Sequence, residues 1–162
     1  MKTILNLLLL CSCLGFVSCN EDDEYTLENK SVTGNIDYTL KSFVPLTFDS
    51  TGMVPLSAQI TMEGVGTITD VGNVTMISTF TFDFITGMGS NLEGTFTGDK
   101  AEDVIEVGGF TQQQPNGSFI ATETITGGKG KFSKIKGGGT TLVNLVPDRS
   151  SGTGVITWKI SY

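Results

Sequence analysis

The stretch VTMISTFTFDF, residues 74–84, largely alternates between apolar and polar side chains. Val74, Met76, Phe80, Phe82 and Phe84 share one face, and Thr75, Thr79, Thr81 and Asp83 share the other. A period of two is typical of a β-strand with one buried face. A one-residue slip in the pairing of this strand would expose every aromatic side chain, so the pattern also fixes its register.

Seven further strands follow from similar evidence. Residues 36–41, 56–62 and 156–162 alternate in the same way, and weaker strands are predicted over residues 92–97, 104–112, 118–126 and 140–146. No segment has the 3.6-residue period of a helix, so the strands must pair antiparallel, because parallel strands need helical crossovers. Eight alternating strands can close into a barrel or split into a sandwich, and periodicity alone does not decide between the two.

Composition excludes several classes of function. The chain has 162 residues, with 17 acidic and 10 basic side chains and a net charge of -7, which disfavours binding to nucleic acid. Histidine is absent, and the three cysteines are Cys11, Cys13 and Cys19. The body of the chain therefore has neither a disulfide framework nor a cysteine-ligated zinc site, and we expect no metal and no cofactor.

The N-terminus has the features of an export signal. Lys2 is followed by an apolar run of signal-peptide length, which ends at Phe16-Val17-Ser18-Cys19. These four residues resemble a lipobox, in which the cysteine receives lipid. The resemblance implies a signal peptide over residues 1–18 and a membrane anchor at Cys19. An ordinary cleaved signal with a chance cysteine is the alternative.

Residues 19–31 are predicted to form a lipidated, acidic linker before a barrel domain at residues 32–162. The run Asn20-Glu21-Asp22-Asp23-Glu24 repels itself and stays extended. It resembles the acidic tag behind the cysteine of lipoproteins that some Gram-negative bacteria export to the cell surface. We therefore expect an outer-membrane, surface-exposed protein; an anchor that faces the periplasm is the alternative.

The most distinctive segment is ITGGKGKF, residues 125–132, which continues to Gly137-Gly138-Gly139. Gly127, Gly128 and Gly130 allow a tight connection, and Phe132 can then fold back to cap a barrel end. The segment resembles a signature of the allene oxide cyclase-like and dirigent-like barrels. Residues 64–72 resemble a second turn of that superfamily, with Asp70 where many members have histidine. The resemblance implies an eight-stranded, calycin-type barrel with a central cavity, and it favours a barrel over a sandwich.

Candidate site residues are few. Glu123 shares a strand face with Phe119, Ala121 and Ile125. If that face lines a cavity, Glu123 is a buried carboxylate with a raised pKa and is a candidate for acid–base catalysis. We favour instead a position on the outer face, or at the mouth of the barrel beside a lysine. Asp70 is expected to cap a turn, and Asp83 to face solvent.

Two groups of side chains could bind ligands. The lysines at positions 129, 131, 134 and 136 either attract an anionic partner or simply solvate a hairpin rich in turns, and we favour the second. Aromatic side chains could stack against a flat apolar ligand, although packing in the core explains them more simply. These candidates for ligand binding are Phe80, Phe82, Phe84, Trp158 and Tyr162, together with Tyr38.

The sequence favours a non-enzymatic surface lipoprotein that binds a small apolar or aromatic ligand or serves as an interaction module. The absence of histidine from the chain and of cysteine from its body favours a role other than catalysis. An isomerase or cyclase of the allene oxide cyclase type is one alternative, and a purely structural envelope component is another. The sequence does not determine the oligomeric state.

Overall fold

A computed structural model describes residues 29–161 of the chain. Eight strands make up most of this part: β1 (Lys30–Phe48), β2 (Pro55–Ile68), β3 (Gly72–Asp83), β4 (Met88–Thr97), β5 (Val104–Gln113), β6 (Phe119–Lys129), β7 (Lys136–Leu145) and β8 (Ser151–Ser161). A single 3₁₀ turn, Gly130–Phe132, connects β6 to β7. The predicted signal peptide, Cys19 and most of the acidic linker lie outside the described residues, as does Tyr162. Within residues 29–161, no helix is long and apolar enough to cross a membrane.

The strands form a closed barrel in which each strand pairs antiparallel with its neighbours along the chain. β1 completes the circle by pairing with β8, for example through Val32 and Trp158. The predicted all-β, eight-stranded antiparallel barrel is thus confirmed, and a sandwich is excluded. Because every strand has both its neighbours within residues 30–161, no other part of the chain is needed to complete the sheet.

Alternation along the strands places one set of side chains in the barrel interior. On β3, Val74, Met76 and Phe82 are buried as their pattern predicts. On β8, Ile156, Trp158 and Ile160 are buried. The inner face of each strand therefore supplies the core, since burial of apolar surface is the main force for folding.

β1 is longer than the pattern predicts. The alternation covered residues 36–41, whereas the strand runs to Phe48 and pairs with the first half of β2. Residues 41–48 are exposed on both faces, so they have no period of two to detect. Pro45 is accommodated beside a register shift, as a residue without a backbone N–H requires. Beyond Leu40, β1 is paired with β2 alone, because its register with β8 ends at Thr39.

The glycine-rich segment also differs in detail from the prediction. Gly127 and Gly128 lie in β6, and only Gly130 and Phe132 belong to the 3₁₀ turn. Gly130 has a φ of 59°, which favours glycine. Phe132 is 1% exposed and packs in the core beside the connection between β6 and β7.

The two ends of the barrel are different. One end, which we call the closed end, contains the start of β1, the end of β8 and the β2–β3, β4–β5 and β6–β7 connections. Val71, Phe132 and Ile135 are buried there. The other end, the open end, contains the β1–β2, β3–β4, β5–β6 and β7–β8 connections. The packed core therefore occupies the closed half and leaves space in the open half.

Candidate functional site

The open half of the barrel contains a cavity of about 250 Å³. Every strand from β1 to β7 contributes to its walls, because the inner faces of the barrel strands converge there. The lining is mostly aromatic and aliphatic; its members include Leu40, Ile60, Met62, Met76, Phe80, Phe82, Phe84, Leu92, Phe96, Val107, Phe119 and Val143. An apolar cavity with few polar groups is the usual form of a small-molecule site.

Phe80, Phe82 and Phe84, three of the predicted ligand-binding residues, line this cavity. The ring of Phe82 packs edge-on against those of Phe84 and Phe119, with centroids 5.2 and 5.5 Å apart. The ring centroid of Phe43, in the part of β1 that pairs only with β2, lies 6.1 Å from that of Phe84. The sequence argument missed Phe43 because its strand segment has no alternation, and it named Phe119 only as a neighbour of Glu123.

Trp158 does not line the cavity. Its side chain is 1% exposed and packs edge-on against Phe96, with ring centroids 5.0 Å apart. Phe96 itself belongs both to the packed core and to the cavity lining. Trp158 therefore lies beneath the inner end of the cavity, where it supports the lining and is separated from a bound molecule. Tyr162, the remaining aromatic candidate, lies outside the described residues.

Glu123 lines the cavity with a side chain that is only 8% exposed. The expected position on the outer face, or at the mouth beside a lysine, is therefore wrong. The hydroxyl of Thr141 donates a hydrogen bond of 2.6 Å to Oε2, and Trp158 Nε1 donates one of 2.9 Å to the same oxygen. No other hydrogen bond reaches the carboxyl group from the described residues, so Oε1 has no protein partner there.

The strand register explains how these side chains meet. Glu123 on β6 pairs with Gly139 on β7, and Gly139 pairs in turn with Trp158 on β8. Gly139 places no side chain between the carboxylate and the indole. A Cβ atom at this position would overlap the backbone of Thr157 and lie 2.8 Å from Cα of Trp158. The last residue of the glycine run is thus required by the close approach of β7 and β8.

Burial raises the pKa of Glu123, and the hydrogen bonds from Thr141 and Trp158 oppose that shift only in part. Burial also raises the pKa of Tyr38, another residue of the cavity lining, and the negative charge of Glu123 adds to the effect. Both shifts have the same principal cause, which is the loss of water around the charged form. The inner end of the cavity thus contains a carboxyl group and a phenol, and burial favours the protonated, neutral form of both.

A third polar group of the lining is Thr111. Its hydroxyl oxygen is fully buried and has no hydrogen-bond partner in the described part of the chain. At the mouth, Asp148 and Arg149 are the charged residues of the lining. Charge is thus confined to the entrance, apart from the carboxyl group of Glu123.

The β1–β2, β3–β4 and β7–β8 connections of the open end have exposed apolar side chains, which we call the apolar rim: Phe43, Val44, Leu46, Phe48, Met53, Val54, Ile85 and Val146. Most belong to the β1–β2 hairpin. Met53 and Ile85 are the most exposed of them, at 82% and 74%. The rim joins the apolar lining at Phe43, so an apolar molecule can move from the rim into the cavity over continuous apolar surface.

The remaining candidates lie apart from the cavity. Lys129 pairs with Glu106 at 3.0 Å, and Lys131 Nζ lies 4.0 Å from Asp103, so acidic neighbours offset half of the lysine cluster. Asp70 lies in the β2–β3 turn with a φ of 63°. Asp83 accepts hydrogen bonds from the backbone N–H groups of Ile85 and Thr86 and thereby caps the β3–β4 turn.

No protein-family model matches the chain, and no curated protein matches it significantly. Among residues 29–161, no cluster of three or more acidic side chains is arranged to hold a metal ion. A proposal for the function of this protein therefore rests on the geometry of the cavity.

Proposed function

We propose that this protein is a lipid-anchored envelope protein whose barrel binds a small, apolar ligand. One observation carries the binding proposal: the barrel is packed at its closed end and contains an apolar cavity of about 250 Å³ at its open end. This volume equals that of about eight liquid waters, which suits a ligand of one or two rings. A barrel with a purely structural role would gain stability by filling that space.

The cavity is tested with a variant that fills it. Ala121 is buried on the inner face of β6, and Ala121→Leu places three more carbon atoms in the cavity. Thr124→Leu adds an apolar side chain to the exposed face of the same strand and is the matched control. The protein is residues 19–162 with Cys19→Ala, which contains every strand of the barrel.

The assay is fluorescence of the uncharged two-ring dye 6-propionyl-2-(dimethylamino)naphthalene, combined with native mass spectrometry of the freshly purified protein. We expect dye binding, and any co-purified ligand, to be lost in Ala121→Leu and kept in Thr124→Leu. Dye binding that is equal in both variants would place the dye on the apolar rim and contradict the proposal.

The anchor rests on the sequence of residues 1–24, namely the apolar run, the lipobox-like Phe16-Val17-Ser18-Cys19 and the acidic residues that follow. Cys19→Ala is expected to abolish incorporation of radiolabelled palmitate and release the protein from the membrane fraction. Cys13→Ala, within the same segment, is the control and is expected to retain both. Membrane retention of unlabelled Cys19→Ala protein would overturn the anchor. Protease accessibility on intact cells tests surface exposure.

A second function, isomerisation or cyclisation of an apolar substrate, is favoured by the position of Glu123 and Tyr38 in the lining of one cavity. A carboxylic acid whose pKa is raised by burial can transfer a proton near neutral pH. The resemblance of residues 125–139 to the allene oxide cyclase-like barrels points in the same direction. An activity on an unsaturated epoxide that disappears in Glu123→Gln would support it, and an activity unchanged in that variant would exclude Glu123 as the catalytic acid.

A further inference from the structure

Two polar side chains of the cavity lining have perturbed ionisation. Tyr38 from β1 and Glu123 from β6 both line the cavity, and the negative charge of Glu123 contributes to the raised pKa of Tyr38. Thr141 and Trp158 both donate to Oε2 of Glu123, and Oε1 is left without a partner among the described residues. Oε1 is not fully buried, so it is accessible from the cavity, and a ligand that pairs with it in place of water can gain affinity.

The protonation of these groups decides what they offer a ligand. No lysine or arginine contacts Glu123 in the described part of the chain. The titratable and charged side chains that share the cavity with it are Tyr38 on β1 and, at the mouth, Asp148 and Arg149 of the β7–β8 connection. Burial raises the pKa of both Glu123 and Tyr38, which favours their neutral forms. In these forms each has an O–H group able to donate a hydrogen bond.

We propose that the cavity selects an uncharged, mainly hydrocarbon ligand with an oxygen acceptor such as a ketone at one end, and that this oxygen enters first and accepts hydrogen bonds from Glu123 and Tyr38. This inference rests on the proposed binding function and adds the chemical class and orientation of the ligand. The hydrocarbon part then lies among Phe80, Phe82 and Phe119. An ammonium ligand is the competing class, because it would pair with an ionised Glu123 and contact the aromatic faces.

Three probes of nearly equal size separate these classes: indane, a hydrocarbon; 1-indanone, which adds a ketone; and 1-aminoindane, which adds a cation. The protein is residues 19–162 with Cys19→Ala. Trp158 is the single tryptophan of the chain and donates its hydrogen bond to Glu123, so its fluorescence reports binding at this site. Calorimetry provides the dissociation constants independently.

At pH 4, below the ordinary pKa of 4.5 that burial raises for Glu123, we expect 1-indanone to bind about five to ten times more tightly than indane, the gain typical of one net hydrogen bond. The amine is expected to bind more weakly than indane, because its charge loses water without gaining a counter-ion. As pH rises through the pKa of Glu123, the affinity for 1-indanone should fall, since the neutral donor is lost.

The possible outcomes distinguish a failure of this inference from a failure of the proposed function. Binding of indane with no preference for the ketone would overturn the inference alone, as would tighter binding of the amine. Failure of all three probes to bind would overturn the proposed function as well.

Two variants assign the donors. Tyr38→Phe removes one hydroxyl and is expected to reduce the preference for the ketone over indane. Glu123→Gln replaces a titrating donor with an amide that does not titrate, so the pH dependence of 1-indanone binding should disappear. Thr124→Val, on the outer face of β6, is the control for folding and should keep both the preference and its pH dependence. A pH dependence that persists in Glu123→Gln would assign it to another group and contradict the role of Glu123.

Discussion

Trp158 Nε1 donates a hydrogen bond of 2.9 Å to Oε2 of Glu123, and both side chains are buried inside the barrel. Trp158 belongs to the packed core of the closed half, and Glu123 lines the cavity of the open half. The hydrogen bond therefore connects the packed core to the inner end of the cavity. Changes at Glu123 should affect both stability and binding.

The stability of the protein should depend on pH through Glu123. Burial raises the pKa of this carboxyl above its ordinary value of 4.5, so the folded protein binds the proton more tightly than the unfolded chain does. The free energy of unfolding should therefore be highest below about pH 4.5 and fall as pH rises towards the folded-state pKa. Urea unfolding followed by Trp158 fluorescence between pH 4.5 and 8 measures this slope. Glu123→Gln should flatten it, and parallel curves for the two proteins would contradict the prediction.

Replacing Glu123 with an apolar residue should destabilise the fold. Glu123→Leu leaves the donors of Thr141 and Trp158 buried without an acceptor, at a cost of about 1–3 kcal/mol for each. Glu123→Gln is the matched comparison, because its amide oxygen still accepts from both donors. At pH 5 we expect the Leu variant to unfold at a clearly lower urea concentration than the Gln variant. Equal midpoints would show that the two hydrogen bonds contribute nothing net.

The two adjacent glycines of β6 should differ in their tolerance of alanine. A Cβ atom at Gly128 would overlap the backbone oxygen of Phe132, which cannot move without displacing the 3₁₀ turn. A Cβ atom at Gly127 would meet, at 2.7 Å, only a carboxylate oxygen of Glu106, at the end of a flexible side chain. Thermal unfolding should therefore show a large decrease in Tm for Gly128→Ala and a small decrease for Gly127→Ala. Equal losses would mean that the turn moves freely.

Truncation of Phe132 should open the closed end. This side chain is 1% exposed in the core, and Phe132→Ala is expected to reduce the free energy of unfolding by about 3–5 kcal/mol. Lys134→Ala, an exposed change in the same connection, should alter it by less than about 0.5 kcal/mol. Chemical denaturation measures both. A loss below about 1 kcal/mol for Phe132→Ala would show that the barrel end is held mainly by backbone pairing.

Asp83 should contribute to stability with the opposite dependence on pH. Hydrogen bonds from the backbone of Thr86 and Ile85 hold the pKa of this carboxyl below its ordinary 3.8. The contribution is present above about pH 3.8 and is lost as pH falls through the lowered folded-state pKa. Asp83→Ala should accelerate hydrogen exchange at the amides of Ile85 and Thr86 at pH 6, and the amides of the β5–β6 connection provide the internal reference. Unchanged exchange would exclude this capping role.

The strand pattern was readable where one face is buried and the other is exposed. Val74, Met76 and Phe82 show this alternation, and their strand was predicted almost to its ends. Residues 41–48 gave no such signal, because both faces of the hairpin are exposed. Periodicity therefore could not predict the residues at the open end of the site, including Phe43.

The site depends on contacts between residues that lie far apart in the sequence, and periodicity does not reveal such contacts. Alternation on β6 placed Glu123 on the face of Phe119 and Ala121, but the high cost of burying a carboxylate argued for an outward position. That cost is offset in part by Thr141 and Trp158, which lie 18 and 35 residues further along the chain on β7 and β8. Only the register through Gly139 brings the three together. By contrast, Phe132 could be assigned to the barrel end because a tight glycine turn directs it there.

The position of Lys30 determines which end of the barrel a lipid anchor would join. β1 starts at the closed end, so a lipid tether on Cys19 would join the barrel at the pole opposite the mouth. The tether would then leave the barrel without crossing the mouth. The mouth and the apolar rim would remain accessible from the surrounding medium, or to a facing membrane or protein.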